Sequence, residues 1–319
     1  MFSPDALVDA RRIVSSVFAP TPQQTWPLLD RRLGATVWVK HENHTPVGAF
    51  KLRGGLTYFD ALVRREPQCR GVVSATRGNH GQSVGFAARR HGLSATIVVP
   101  HGNSVEKNAA MRALGVELVE HGDDFQAARE HAATLADRHG LHSVPSYHDD
   151  LVRGVATYWI EFFEAVQPDV VFVPIGQGSG ICACAAARAH TGARTSIVGV
   201  VSAHATAAMD SFRSGRLVEA PVATWLADGM ACRLPDAQAL EVMRREVDDV
   251  IAVSDDEVAA AMRALFADTH NVAEGAGAAS LAGALQQRTR WAGRTVGVAL
   301  TGGNVDSAVF AKVLAGSAG

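Results

Sequence analysis

Lys51 lies in the segment Ala49-Phe50-Lys51-Leu52-Arg53-Gly54, with an aromatic neighbour on one side and an aliphatic one on the other. Most lysines are solvated surface groups. Between Phe50 and Leu52, however, desolvation would lower the amine from its usual pKa of about 10.4, and a neutral amine forms imines. Two other segments suit anions. Gly176-Gln177-Gly178-Ser179-Gly180 follows the apolar run ending in Val173-Pro174-Ile175 and opens a helical pattern. Backbone N–H groups and a helix amino terminus there form a phosphate cradle, with a plain tight turn as the alternative. The loop ends in Gly180-Ile181-Cys182, not Gly-Lys-Ser/Thr, and the next apolar run ends in Val201-Ser202-Ala203 without an acidic residue. A Walker loop and a dinucleotide fingerprint are both excluded on those grounds. Thr76-Arg77-Gly78-Asn79-His80-Gly81 also lies between an apolar run and a helical pattern. Its hydroxyl, amide and imidazole beside unpaired helix N–H groups suit a carboxylate or phenolate-like oxygen, although Asn79 could equally cap the helix. Thr301-Gly302-Gly303-Asn304 places a hydroxyl at the end of the run Val296 to Leu300. Two glycines there admit the edge of a flat ring, or simply make a turn.

Loops of this kind need strands and helices to hold them. The runs Val72 to Ala75, Ala95 to Val99, Val116 to Val119, Val170 to Pro174, Ser196 to Val201, Val250 to Val253 and Thr295 to Leu300 have the length and composition of buried parallel strands. Helical periodicity marks His80 to His91, Val105 to Leu114, Asp124 to His139, Leu151 to Val166, Ile181 to Ala189 and Asp255 to Thr269, the last opened by Ser254 and Glu257 at capping-box spacing. Alternation of strand and helix predicts an α/β fold with parallel sheet, an eight-fold barrel remaining open on element count. Ligands of open α/β sheets sit outside the carboxyl ends of the strands, which is where all these loops fall.

Composition narrows the function. The 319 residues suffice for about two domains and a sizeable core. Lys and Arg number 30 against 32 Asp and Glu, so there is no basic excess for a nucleic-acid backbone. Cys69, Cys182, Cys184 and Cys232 form no CxxC pair, which fits a reducing compartment better than a disulfide framework and argues against structural zinc. The amino-terminal segment interleaves Asp5, Asp9, Arg11 and Arg12 with apolar residues, so no signal peptide is expected and a cytoplasmic location follows. Val170 to Ala187 is uncharged and nearly of spanning length, but Pro174, Gln177, Ser179 and three glycines make it strand, loop and helix, and no membrane association is expected.

Taken in order, Lys40-His41-Glu42-Asn43 with Phe50-Lys51-Leu52-Arg53-Gly54, Gly78-Asn79-His80-Gly81-Gln82, Gly176 to Gly180, Ala273-Glu274-Gly275 and Thr301-Gly302-Gly303-Asn304-Val305 resemble the fold type II pyridoxal phosphate enzymes, and most closely their serine/threonine dehydratase branch. The resemblance runs from about Pro20 to Val309. It implies two open, twisted, mostly parallel sheet domains of the tryptophan synthase β-like type: a small inserted one at 48–148 and a large one made of 1–47 and 149–319. Lys51 would hold pyridoxal phosphate as a Schiff base and serve as the base at Cα. Phe50, Asn79, Gly176, Gln177, Gly178, Ser179, Gly180, Glu274 and Thr301 would line the cofactor, with Asn79 at the ring oxygen, the glycine loop at the phosphate and Thr301 at the ring nitrogen. Thr76, Arg77, Gly78, Asn79 and His80 would receive the substrate. A hydroxyl at the ring nitrogen leaves the pyridine largely neutral and so a weaker electron sink, which favours β-elimination over transamination. The implied activity is dehydration of a β-hydroxy amino acid (threonine, serine, phenylserine or hydroxyaspartate) to a 2-oxo acid and ammonia, by a homodimer. Biosynthetic relatives continue into an effector-binding domain, so a catabolic or specialised role is expected here.

Three positions depart from the dehydratase pattern. Ala49 replaces a usual Ser, Thr301 replaces Ser while keeping the hydroxyl, and Arg77 stands where a small residue, or a racemase's proton-delivering serine, is usual. Arginine is effectively always protonated, so using one as an acid at pH 7 costs roughly 8 kcal/mol and racemisation is disfavoured. Arg77 either reshapes the pocket for a second anionic or bulky polar group or makes an ordinary salt bridge on the outer side of its loop. Asp228 lacks a second obvious carboxylate beside it, so no metal is expected. Two other readings stay open: β-replacement, as in cysteine synthase-like enzymes, and a non-catalytic amino-acid-binding relative.

Overall fold

Apolar runs that read as buried on both faces resolve into two separate open sheets, which removes the barrel alternative. The structure, a computed structural model, describes residues 2–316, so the outermost residues of the expected large domain lie outside it. Its strands are β1 (Gln23–Thr25), β2 (Thr36–His41), β3 (Gly71–Ala75), β4 (Ser94–Val99), β5 (Glu117–Glu120), β6 (His142–Ser143), β7 (Val170–Pro174), β8 (Ser196–Ser202), β9 (Asp249–Val253) and β10 (Thr295–Leu300). One sheet has the order β1-β2-β10-β7-β8-β9, parallel except for the edge strand β1, and the other is the all-parallel β5-β4-β3-β6. No helix among the described residues is long and apolar enough to cross a membrane.

Strand β7 shows why the runs lack polar alternation. Val170 and Phe172 pack against the helices Asp255–Thr269 and Gly275–Gln286, while Val171 and Val173 face Asp149–Ala165, Ser179–Thr191 and Ala237–Glu246 on the opposite side. A parallel strand covered on both faces has no solvent side to mark with charge. The small sheet is built the same way. Val72, Ile97 and Val99 meet Lys51–Arg65, Asn79–Arg90 and Val105–Ala113, and Val73, Ala75 and Val98 meet the alanine face of Phe125–His139. The expected capping box at Ser254 and Glu257 is formed in both directions.

Helix Lys51–Arg65 is pinned from within. Arg53 is fully buried and holds Glu42 through Nε (2.7 Å) and Nη2 (2.9 Å), and Glu161 through Nη1 (2.7 Å) and Nη2 (3.0 Å). Lys40 completes a neutral quartet by donating to Glu161 (2.7 Å) and to the Thr21 carbonyl (2.9 Å). Two cations and two anions thus exhaust one another's charge out of water, the condition under which buried ions are tolerable. Gly54 and Gly154 let this helix lie directly on Asp149–Ala165, since a Cβ on Gly154 would overlap the Arg53 carbonyl and the Thr57 hydroxyl.

Gly154→Ala should therefore cost about 1–3 kcal/mol by overpacking, read as an earlier urea midpoint at unchanged slope; an unmoved midpoint would mean the helices separate freely. Stability should also fall in acid. Burial, aided by the neighbouring His44 and Lys40, pushes His41 down from 6.5 to about 4. Its folded form is neutral, so between about pH 6.5 and 4 only the unfolded chain takes up this proton and stability is lost as the pH drops. Above that window the group contributes no slope. His41→Gln should flatten the pH dependence of unfolding there by about 1.4 kcal/mol per pH unit.

Candidate active site

A cavity of about 840 Å³ opens outside the carboxyl ends of β3, β7 and β10, and all four chemistry-bearing loops reach it. Backbone hydrogen bonds tie two of these loops together before any ligand is considered. Phe50 N–H donates to the Thr301 carbonyl (2.9 Å), Gly303 N–H donates to the Gly48 carbonyl (2.9 Å), and Ala49 bridges Gly302. Lys51 is the first residue of its helix, and the Ser83 hydroxyl donates to its backbone carbonyl at 2.7 Å. The Lys51 ammonium donates to Ser179 Oγ (3.2 Å) and lies 5.1 Å from the centre of the Phe50 ring. Burial lowers its pKa, as the apolar neighbours in the sequence predict.

The glycine loop is an array of vacant donors. Gly178 caps the helix Ser179–Thr191 in a left-handed conformation at φ 105°, and the backbone N–H groups from Gly176 to Ile181 meet no protein acceptor among the described residues. Gly176 is required by close approach, since a Cβ there would stand 2.6 Å from the Gly229 carbonyl oxygen. Gln177 turns its amide to Cys232 Sγ at 3.4 Å. The second loop repeats the arrangement at β3. Thr76 Oγ1 accepts from Gly78 N–H (3.0 Å), whereas the N–H groups of Arg77, Asn79, His80 and Gly81 have no protein acceptor among the described residues. His80 is buried with Nε2 unpartnered, and burial together with the Lys51 charge pushes it down to about 3. The imidazole is therefore neutral throughout the physiological range.

Asn79 does not cap its helix. Its Nδ2 donates to Glu274 Oε1 (2.5 Å) and its Oδ1 accepts from Asn304 Nδ2 (2.8 Å), which fixes the amide plane and leaves one N–H. Thr301 is buried and donates weakly to the Ala276 carbonyl at 3.4 Å. Glu274, also buried, is 3.0 Å from the ammonium of Lys107, which in turn stands 2.8 Å from Asp228. Burial pushes the Glu274 carboxyl up, against the pull of Lys107; burial also opposes the Lys107 charge, but the two carboxylates outweigh it and hold that amine above the ordinary lysine range. Arg77 is exposed at the cavity wall and makes no ion pair or hydrogen bond among the described residues, so the outer salt bridge is not formed.

The residues singled out in the sequence thus converge on one cavity. Lys107, Arg129 and Cys232 share it and were not anticipated. Nothing local distinguishes Lys107 from a solvated helix lysine, because both its partners come from distant parts of the chain.

The family described as pyridoxal-phosphate dependent enzyme matches residues 14–302. The L-threonine ammonia-lyase of Geobacter sulfurreducens is 37% identical over 287 residues, spanning 89% of this chain and 71% of that protein. The L-threo-3-hydroxyaspartate ammonia-lyase of Saccharomyces cerevisiae is 32% identical over 312 residues, spanning 97% and 95%. Among solved structures, the processed form of threonine deaminase isoform 2 from Solanum lycopersicum superposes with a TM-score of 0.90 at 30% identity, covering 98% of this chain and 88% of that one. Pyridoxal phosphate suits the donor set in this cavity: an anion for the vacant N–H groups of Gly176 to Ile181, an aldehyde for a desolvated amine, and a ring edge for the Thr301 hydroxyl. On that match, and on relatives of this identity across nearly the whole chain, the protein belongs to the pyridoxal-phosphate dependent enzyme family.

Proposed function

We propose that the chain is an ammonia-lyase that converts a β-hydroxy amino acid into a 2-oxo acid and ammonia. One observation carries this reading: two helix amino termini whose N–H groups meet no protein acceptor among the described residues face the same cavity, which a desolvated lysine also lines. One anion site serves the cofactor phosphate and the other the substrate carboxylate. Pyridoxal phosphate, when bound, supplies the electron sink that makes the Cα proton acidic.

The chain's own groups do the rest in this reading. With the cofactor bound, Gly176 to Gly180 and Ser179 Oγ would hold its phosphate, and Phe50 would line the ring. The free N–H of Asn79 would be offered to the ring oxygen, with Glu274 and Asn304 preventing the amide from turning. Thr301 would offer a hydroxyl, not a carboxylate, to the ring nitrogen, so no strong base would hold a proton there. Thr76, Gly78, Asn79 and His80 receive the substrate carboxylate, and neutral His80 can donate or accept without adding charge. Lys51 takes the Cα proton and, once protonated, donates to the departing Cβ hydroxyl. Water lost from Cβ is regained when the nitrogen is hydrolysed off, so the net change is release of ammonia. We read 48–148 as the inserted small domain and the flanking parts as the large one, working as a homodimer in the cytoplasm.

Threonine and serine are the default substrates. A second carboxylate on the substrate is favoured by Arg77 and Arg129, both exposed on the cavity wall and neither paired with a protein carboxylate among the described residues. Guanidinium groups of this kind bind carboxylates bidentately.

Lys51→Ala should lower ammonia and 2-oxo acid release at least about a thousandfold, and borohydride should fix the cofactor mass on the Lys51 peptide of the wild type. Full turnover by the variant would remove the reading. Added sulfide should not divert the product; a new thiol amino acid would indicate β-replacement instead. Arg77→Ala should lower kcat/KM for 3-hydroxyaspartate roughly ten- to a hundredfold while threonine changes little, and an unchanged preference order would eliminate the dicarboxylate substrate.

A further inference from the structure

Helix Val105–Ala113 packs on the small sheet through Met111, yet three of the four residues from its cap Ser104 to Lys107 bond to elements of the large one. Ser104 Oγ donates to Asp306 Oδ1 (2.5 Å). Glu106 Oε1 accepts from the backbone N–H (2.8 Å) and hydroxyl (2.5 Å) of Ser307. Lys107 reaches further inward, to Asp228 (2.8 Å) and Glu274 (3.0 Å). Its side chain is only 7% exposed, and its stem lies against Gly78, where a Cβ would overlap Lys107 Cδ. The other oxygen of Glu274 holds Asn79. One lysine therefore touches the loop that receives the substrate carboxylate and, through a single carboxylate, the amide beside the cofactor ring.

We propose that Lys107 is a positioning residue: a clasp from the small sheet that sets the Thr76–Gly81 loop and the Asn79 amide against the large sheet. The assignment of that loop to the substrate carboxylate rests on the function proposed above; the clasp itself rests on the contacts. The ammonium leaves Glu274 no reason to turn toward solvent, so Oε1 stays on Asn79. The aliphatic stem meanwhile supports the loop backbone at Gly78. A buried carboxylate stripped of its cation would have to take up a proton or drag its surroundings toward water, and Asn79 would lose its anchor.

Hydrogen exchange on the cofactor-free and cofactor-loaded chain separates this from general stability. In Lys107→Met, peptides covering 76–82 should exchange about tenfold faster in both states, while those from β4 keep their wild-type protection. Adding Glu274→Gln in the same chain should restore protection at 76–82, because a neutral amide still accepts from Asn79 and needs no cation. Lys107→Arg should keep most of it. Asp228→Asn, at a position about one-third exposed, should move 76–82 in the same direction by less. Kinetically, Lys107→Met should lower kcat/KM about tenfold with cofactor still bound by its absorption. A uniform rise in exchange over the whole chain, or no rise at 76–82, overturns the clasp. If the wild type itself releases no ammonia from any β-hydroxy amino acid, the proposed function fails, and the exchange measurements still decide the clasp alone.

Discussion

Every helix begins with N–H groups that its own turns cannot satisfy, and parallel strands deliver those helix starts to one edge of a sheet. Here two sheets bring two such starts, at Ser179 and at Asn79, to a single cavity. Partial positive charge accumulates there with no protein acceptor among the described residues, so the cavity selects anions before any side chain is considered. The same field acts on Lys51. An ammonium beside helix amino termini, short of water, is disfavoured twice over, and the neutral amine that imine chemistry needs is the form that burial already promotes.

That amine must be held in place, because an unanchored lysine would extend to water. The anchor lies two residues away. Arg53, Glu42, Glu161 and Lys40 form a buried quartet whose charges cancel and whose bonds join β2, the start of the Lys51 helix and the helix Asp149–Ala165. Such networks add less stability than apolar packing of equal volume, but each member dictates the direction of its partners. Gly54 serves the same end by allowing the backbone carbonyl of Leu151 against the helix. The order Phe-Lys-Leu-Arg-Gly is thus a reactive group followed by its fastening.

The cavity also joins the sheets. Asn304 bonds both the Val47 carbonyl and Asn79, and the carboxylate of Glu274 faces Asn79 on one side and Lys107 on the other. Residues that shape the site are therefore also residues that hold the two sheets together, and a change of one disturbs the other. Cys232, with its thiol pushed up to about 11 by burial, is neutral beside the glycine loop and adds no negative charge that would compete with a phosphate.

What was legible in the sequence was whatever local chemistry enforces. Runs such as Val170 to Pro174 are strands because no other element buries them on both sides, Ser254 and Glu257 cap a helix by themselves, and a glycine loop between strand and helix leaves N–H groups free wherever it occurs. Lys51 could be picked out by its apolar neighbours alone. The tertiary structure decided what depends on residues far apart in the chain. The edge strands β1 and β6, of three and two residues, exist only through pairing with β2 and β3. Asn79 could cap a helix or face a ligand until Glu274 and Asn304 engaged both ends of its amide. Lys107 reads as a surface lysine until Asp228 and Glu274, more than a hundred residues away, take its charge. Electrostatic pairing acts through space and carries no period along the chain, so only the folded molecule could disclose it.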